Sequence, residues 1–218
     1  MTDGAISNRP AEEKIIRLRL NELHLFKGYS ALNGIMPRNQ PYLVRDEDPS
    51  MVRLIARIKA RGVRQPALVR PDPEGGYEII DGHRRYRASE LSEHPDMPVI
   101  IRDLSDEEAV AEMVDGNVQR ENVLPSERAW AYRMYLEAEK KRAGRPAKNS
   151  PKFSANFRSD DEIGKSLGIS GDTLRNYIQL TELRQELMDK VDAQEIGLTI
   201  AYQIAALTKD EQMLLLDA

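Results

Sequence analysis

Cysteine is absent from this chain, and that one absence removes disulfides, zinc–thiolate sites, iron–sulfur clusters and thiol nucleophiles. Histidine is scarce too: His24, His83 and His94 stand far apart, without the i, i+4 spacing that brings two imidazoles to one metal. Aromatics make up 6% of the sequence, and no apolar run approaches the roughly 18–20 residues that a membrane helix needs. The N-terminus, Met1-Thr2-Asp3-Gly4-Ala5, lacks the apolar core of a signal peptide, so the expectation is a cytoplasmic protein with no membrane partner. A Gly-x-x-x-x-Gly-Lys-Ser/Thr loop is missing as well, which excludes a P-loop nucleotidase.

What is present is 218 residues, 40% hydrophobic and 31% charged, enough for two modest cores and too apolar for disorder throughout. The net charge of −4 is mildly adverse to a polyanion partner taken whole, but it is unevenly spread. Residues 140–158 hold seven bases and no acid, whereas 159–218 hold 12 acids against 5 bases. Since salt screens charges beyond about 8–10 Å, a local basic stripe can bind a polyanion inside an acidic protein.

Along the chain, residues 1–13 read as a flexible arm, and Ile16, Leu18 and Leu20 alternate with Arg17 and Arg19 as in a short strand. Residues 26–49 have prolines and glycines with little periodicity, a long loop of the kind that is functional or mobile. A helix follows, with Ser50 as its expected cap, Met51, Leu54, Ile55 and Ile58 as its apolar stripe, and Gly62 as its stop. Strands at 67–69 and 77–80, a helix at 83–91, a strand at 99–101 and a helix from Asp106 complete an alternating pattern. The expected organisation is α+β. A small α/β domain occupies 14–120, a connecting helix 121–142 opens at Pro125, and a basic linker covers 143–159. An all-α domain then fills 160–218.

Within the last domain, residues 161–180 have the form of a helix-turn-helix. Ile163 and Leu167 share a face, Gly164 is small where a second helix must approach, and Gly168 suits the positive φ of a tight turn. Ser170 can cap the second helix, whose buried stripe is Leu174, Tyr177 and Ile178. Ser170, Thr173, Arg175, Asn176 and Gln179 fall largely off that stripe, and they are residue types that hydrogen-bond base edges and phosphates. The second helix, 171–180, is the expected recognition helix; an ordinary helical hairpin is the plain alternative.

In the first domain, Asp81-Gly82-His83-Arg84-Arg85-Tyr86-Arg87 follows a strand and opens a helix. A helix N-terminus carries partial positive charge, so bases gathered there oppose the dipole unless an anion joins them. Strand, glycine turn and helix start together form a phosphate site. The alternative is that these arginines pair with nearby acids. Gly62-Val63-Arg64-Gln65-Pro66 and Asn117-Val118-Gln119-Arg120-Glu121 are two further loops that could join the site.

In order and spacing these stretches resemble the ParB/RepB partition family over about residues 14–207. The family's Gly-x-x-x-Pro turn is matched by Gly62 and Pro66, and its Gly-Glu-Arg-Arg-x-Arg-Ala box by Gly82 to Ala88. Its Glu-Asn-x-Gln-Arg motif is matched from Asn117 to Arg120, followed by Glu121, Pro125 and Glu127. The resemblance implies a ParB/sulfiredoxin-like N-terminal fold and a homodimer that binds a palindromic, centromere-like site on double-stranded DNA in plasmid or chromosome partition. It also implies a Walker-type partition ATPase as partner, and CTP with Mg²⁺ as ligands that let the protein close as a clamp. Carried over, Gly62 and Pro66 shape the nucleotide turn, while Gly82, His83, Arg84 and Arg85 hold the triphosphate. Asn117 and Arg120 complete the metal and phosphate shell, with Asn117 as the metal ligand.

The chain departs from the pattern at two positions: His83 stands for the box's Glu, and Gly116 for the metal-side Glu of the third motif. Hard cations prefer anionic oxygens, so the second change weakens a magnesium site, with Asp115 one residue away. The alternative function is a helix-turn-helix transcriptional regulator that keeps the fold without a nucleotide switch. An enzyme is limited to a weak CTPase at most, since no metal or thiol catalytic cluster is visible and the sulfiredoxin reaction needs a cysteine.

Overall fold

The computed structural model describes residues 13–118, 120, 122–144 and 159–216, and it is α+β. The chain divides into two compact units, one of residues 1–24 and 46–103, the other of 25–45 and 104–218.

The first unit is built on a five-stranded mixed sheet in the order β1-β5-β3-β4-β2. Its strands are β1 (Ile15–Arg19), β2 (Leu23–His24), β3 (Ala67–Pro71), β4 (Tyr77–Asp81) and β5 (Asp96–Ile101). The β1/β5 and β3/β4 pairs are antiparallel, and the β3/β5 and β2/β4 pairs are parallel. Helices α1 (Pro49–Arg61) and α2 (His83–Leu91) pack on each other, and α2 also packs on β3 and β5. The core is Met51, Ile58, Ala67, Val69, Ile79, Ile80, Ala88, Met97 and Val99, all at most 3% exposed. The expected helix and strands of this unit are present, with one difference at the start of α1. Asp48, not Ser50, caps that helix: its carboxylate accepts the Ser50 N–H at 2.7 Å, and Pro49 takes the first helical position, where no donor is lost.

The second unit is helical: α3 (Asp106–Val118), α4 (Pro125–Gly144), α5 (Asp160–Ser166), α6 (Gly171–Gln179), α7 (Gln185–Asp192), α8 (Leu198–Ala205) and α9 (Lys209–Leu216). Helix α4 is its mast. Ala129, Trp130, Ala131, Tyr132, Met134, Tyr135, Leu136 and Ala138 are all buried, a pattern apolar nearly all round, as expected of a helix enclosed by others. Around it pack α3, α6 and α7.

These units cut the chain differently from the expected domains. Residues 25–45, read from sequence as an aperiodic loop, belong with the helices and bury Phe26, Tyr29, Leu32 and Tyr42. The Glu127 carboxylate joins the two pieces, accepting the Leu43 N–H at 2.8 Å and the Leu124 N–H at 3.0 Å. Lys141 pairs with Glu107 at 2.8 Å, fastening α4 to α3. Of the expected arm and basic linker, residues 1–12 and 145–158 lie outside the described residues.

Candidate functional site

In the second unit, α5 and α6 are two short helices joined by a turn at residues 167–170, in the stretch that the sequence reads as a helix-turn-helix. Ser159 caps α5, accepting the Glu162 N–H while the Glu162 carboxylate accepts the Ser159 N–H. Gly168 adopts φ +73° in the turn, the left-handed region that disfavours a side chain. A Cβ on Gly164 would lie 2.9 Å from the Ser170 carbonyl carbon, and one on Gly171 would lie 1.9 Å from Asp161 Oδ1. Glycine at those two positions is what lets the helices cross so closely. Ser170 caps α6, its hydroxyl accepting the Thr173 N–H at 3.1 Å.

Helix α6 is anchored on one face. Leu174 is fully buried, and Tyr177 meets Tyr132 of α4 and Tyr202 of α8 edge-on, with ring centroids 5.6 and 6.3 Å apart. Arg133 of α4 donates to Thr181 Oγ1 at 2.6 Å and to Glu182 at 2.8 Å, fixing the turn that follows α6. On the opposite face, Arg175 is exposed and donates to Asp172 at 2.5 Å and to Asp160 at 3.2 Å. Asn176 and Gln179 are half-buried, and Ser170 and Thr173 share a hydroxyl contact of 2.8 Å. Sequence reasoning missed the two acids on Arg175; the i, i+3 spacing of Asp172 and Arg175 is the signal that shows one of them.

In the first unit, the structure brings the arginine box and the Gly62–Pro66 turn together. Gly82, at φ +107°, caps α2 with no side chain, and a Cβ there would lie 2.8 Å from Ala67 Cβ. The first intrahelical bond runs from Tyr86 N–H to Gly82 C=O, so the N–H groups of residues 83–85 have no acceptor within the helix. Arg85 donates to Asp81 and to the carbonyls of Gln65 and Pro66, which makes it the tie between the turn and α2. Arg87 pairs with Asp46, at 2.7 Å, and with Glu90. The pairing alternative is therefore what Arg85 and Arg87 show, and Arg84 donates to the Ser50 hydroxyl at the start of α1. Sequence reasoning did not place Ser50 here, because the contact joins residues 34 apart.

His83 is buried and donates a ring N–H to the Ile79 carbonyl; burial is the main reason its pKa falls to about 4. Its Nε2 finds no partner among the described residues, which leaves Nδ1 as the donor and Nε2 as a buried lone pair. In the position of the family's Glu, the chain thus keeps a hydrogen-bond acceptor and gives up the charge.

Asn117 and Arg120 belong to the second unit. The Asn117 amide donates to the Met113 carbonyl at 2.8 Å, and its oxygen accepts from Arg120 at 3.3 Å. These residues do not fit a magnesium ion: the one oxygen on offer already faces a guanidinium, and Gly116 contributes no carboxylate. Asp115 does not replace it well, since burial and the nearby Glu112 and Glu139 raise its pKa. Among the described residues, no three His, Cys, Asp or Glu side chains gather as a metal site. No helix there is long and apolar enough to cross a membrane.

The chain thus combines a mixed sheet that leads into a glycine-capped, arginine-rich helix with a separate unit of packed helices. Residues 31–118 match the ParB N-terminal domain. It is 28% identical over 182 residues to the chromosome-partitioning protein Spo0J of Thermus thermophilus, covering 84% of this chain and 61% of that protein. It is 32% identical over 165 residues to the probable chromosome 1-partitioning protein ParB of Deinococcus radiodurans, covering 76% and 50%. The chain spans about half to three fifths of the length of these relatives. The crystal structure of C-terminally truncated ParB from Caulobacter crescentus, complexed to the centromeric parS site, shares the fold. The TM-score is 0.53 and the identity 23%, covering 89% of this chain and 86% of that one.

Proposed function

We propose that this chain is a sequence-specific DNA-binding protein of the partition type, reading a palindromic, centromere-like site as a homodimer. The observation that carries the reading is the α5–α6 pair, closed by Gly164, Gly168 and Gly171 and presenting Ser170, Thr173, Arg175, Asn176 and Gln179 from a helix anchored on α4. That geometry is what a helix needs to enter a major groove with its N-terminal side chains toward base edges. The parS-bound relative with the same fold supports it. A Walker-type ATPase is the partner that the family resemblance implies, and a nucleoid- or plasmid-associated place in the cell follows from the DNA.

The first unit takes a nucleoside triphosphate, CTP by the same resemblance, at the start of α2. Gly82 clears the approach, the N–H groups of His83, Arg84 and Arg85 face the phosphates, and Arg84 supplies the charge, with Gly62 and Pro66 shaping the adjoining turn. Calorimetric titration of CTP, ATP, GTP and UTP into the full chain and its Arg84→Ala variant tests this. Selective CTP binding that the variant loses is the expected result; equal nucleotide affinity in both would remove the site from α2.

A second reading is favoured by two observations. Arg85 and Arg87 are already engaged by Asp81, Asp46 and backbone carbonyls, and Gly116 lacks the metal-side carboxylate. A transcriptional regulator that keeps the fold without the switch would show this. Operator binding that no nucleotide alters, in a chain that binds none of the four, would establish it.

A further inference from the structure

Arg175 is the one long base on the exposed face of α6, and it is not left to wander. Its Nη2 donates to Asp172 Oδ1 at 2.5 Å within the helix, and its Nη1 donates to Asp160 Oδ2 at 3.2 Å from the start of α5. Two carboxylates from two elements therefore hold one guanidinium. An arginine carries several soft torsions whose ordering costs free energy, and bidentate reading of guanine O6 and N7 needs a fixed plane.

The two acids differ in placement. Asp160 is 32% exposed and sits at the base of the pair, whereas Asp172 is 85% exposed and stands in the first turn of α6. An exposed carboxylate is repelled by phosphates; Arg175 offsets part of that cost for one oxygen of Asp172, and on a DNA-facing helix a donor from the DNA would offset the rest. In the major groove the available donors are the exocyclic amino groups, N4 of cytosine and N6 of adenine. Residues three apart on a helix are neighbours, so a donor at 175 and an acceptor at 172 can meet adjacent base pairs.

We propose that Asp172 determines specificity: it holds the Arg175 guanidinium toward a guanine and itself accepts from the amino group of a cytosine or adenine in the neighbouring base pair. Asp160 only positions Arg175. This rests on the DNA-binding reading and adds to it a residue and a base class.

The test is selection of bound duplexes from a randomised pool by the full chain, followed by sequencing, for wild type, Asp172→Asn, Asp160→Asn and Arg175→Ala. All three substitutions lie on the surface, and matched melting curves verify folding. The wild type is expected to enrich one guanine per half-site beside a base pair with an amino group toward Asp172. Arg175→Ala loses the guanine, and Asp172→Asn loses the neighbouring preference by roughly 5- to 150-fold, the range of one good base contact. Asp160→Asn leaves the neighbouring preference intact. If Asp172→Asn and Asp160→Asn merely tighten binding to every sequence alike, Asp172 acts through its charge alone and the proposal is wrong. A wild type that enriches nothing overturns the DNA-binding reading itself, a result distinct from the previous one.

Discussion

Arg84 and Arg85 are adjacent in sequence and differ in what they touch, which separates binding from folding at single residues. Arg85 is mostly buried against Asp81 and the carbonyls of Gln65 and Pro66, so Arg85→Ala strands three acceptors. The expected loss is about 1–3 kcal/mol of stability, read from urea unfolding. Arg84 donates to the Ser50 hydroxyl, and Arg84→Ala is expected to remove triphosphate affinity, read by calorimetric titration. His83 makes a third prediction. Its folded pKa of about 4 lies below the unfolded value of 6.5, so between these values the unfolded chain binds the proton more readily. Its contribution is therefore fully present above about pH 6.5 and falls as pH drops toward 4, by up to about 3 kcal/mol. Urea midpoints at pH 7 and pH 5 check it: the drop should shrink in His83→Gln, and an equal drop in both would assign the pH dependence to other groups.

At the scale of elements, the helix-turn-helix was legible because its signals are local. The apolar spacing of Ile163, Leu167 and Leu174, the cap at Ser170, and glycines at a crossing and a turn all lie within some twenty residues. Gly164→Val is accordingly expected to force α5 and α6 apart and abolish specific DNA binding, as fluorescence anisotropy would show, with α4 helicity retained by circular dichroism. The stretch 25–45 was not legible. Phe26, Tyr29, Leu32 and Tyr42 have no helical or strand period, and they are buried only because α3 and α4 exist to receive them. The same holds for Glu127, which from sequence is a favourable first-turn acid and in the structure also accepts the Leu43 N–H from far along the chain. Glu127→Ala leaves that N–H without its carboxylate and is expected to cost about 1–3 kcal/mol, measured by urea unfolding. The proposed anion site was half legible: the box stood out by its bases at a helix start, but the division of its arginines between Asp81, Asp46 and Ser50 depends on α1 and the 62–66 turn, which sequence spacing does not place.

For the molecule as a whole, net charge is a poor guide to partners. A chain at −4 still gathers seven bases and no acid at residues 140–158, whereas residues 159–218, which include α6, hold 12 acids against 5 bases. Sequence discrimination is thus expected from base contacts at α6, while phosphate contacts elsewhere supply a salt-dependent term common to all DNA. The central claim is that this chain reads DNA sequence, and one measurement tests it most directly. The full chain is mixed with sheared genomic DNA from its own source at physiological salt, and the captured fragments are sequenced, beside the Arg175→Ala variant. The account predicts a few discrete peaks sharing an inverted repeat, flattened in the variant. Uniform coverage by the wild type, or peaks that Arg175→Ala leaves unchanged in position and height, would contradict it.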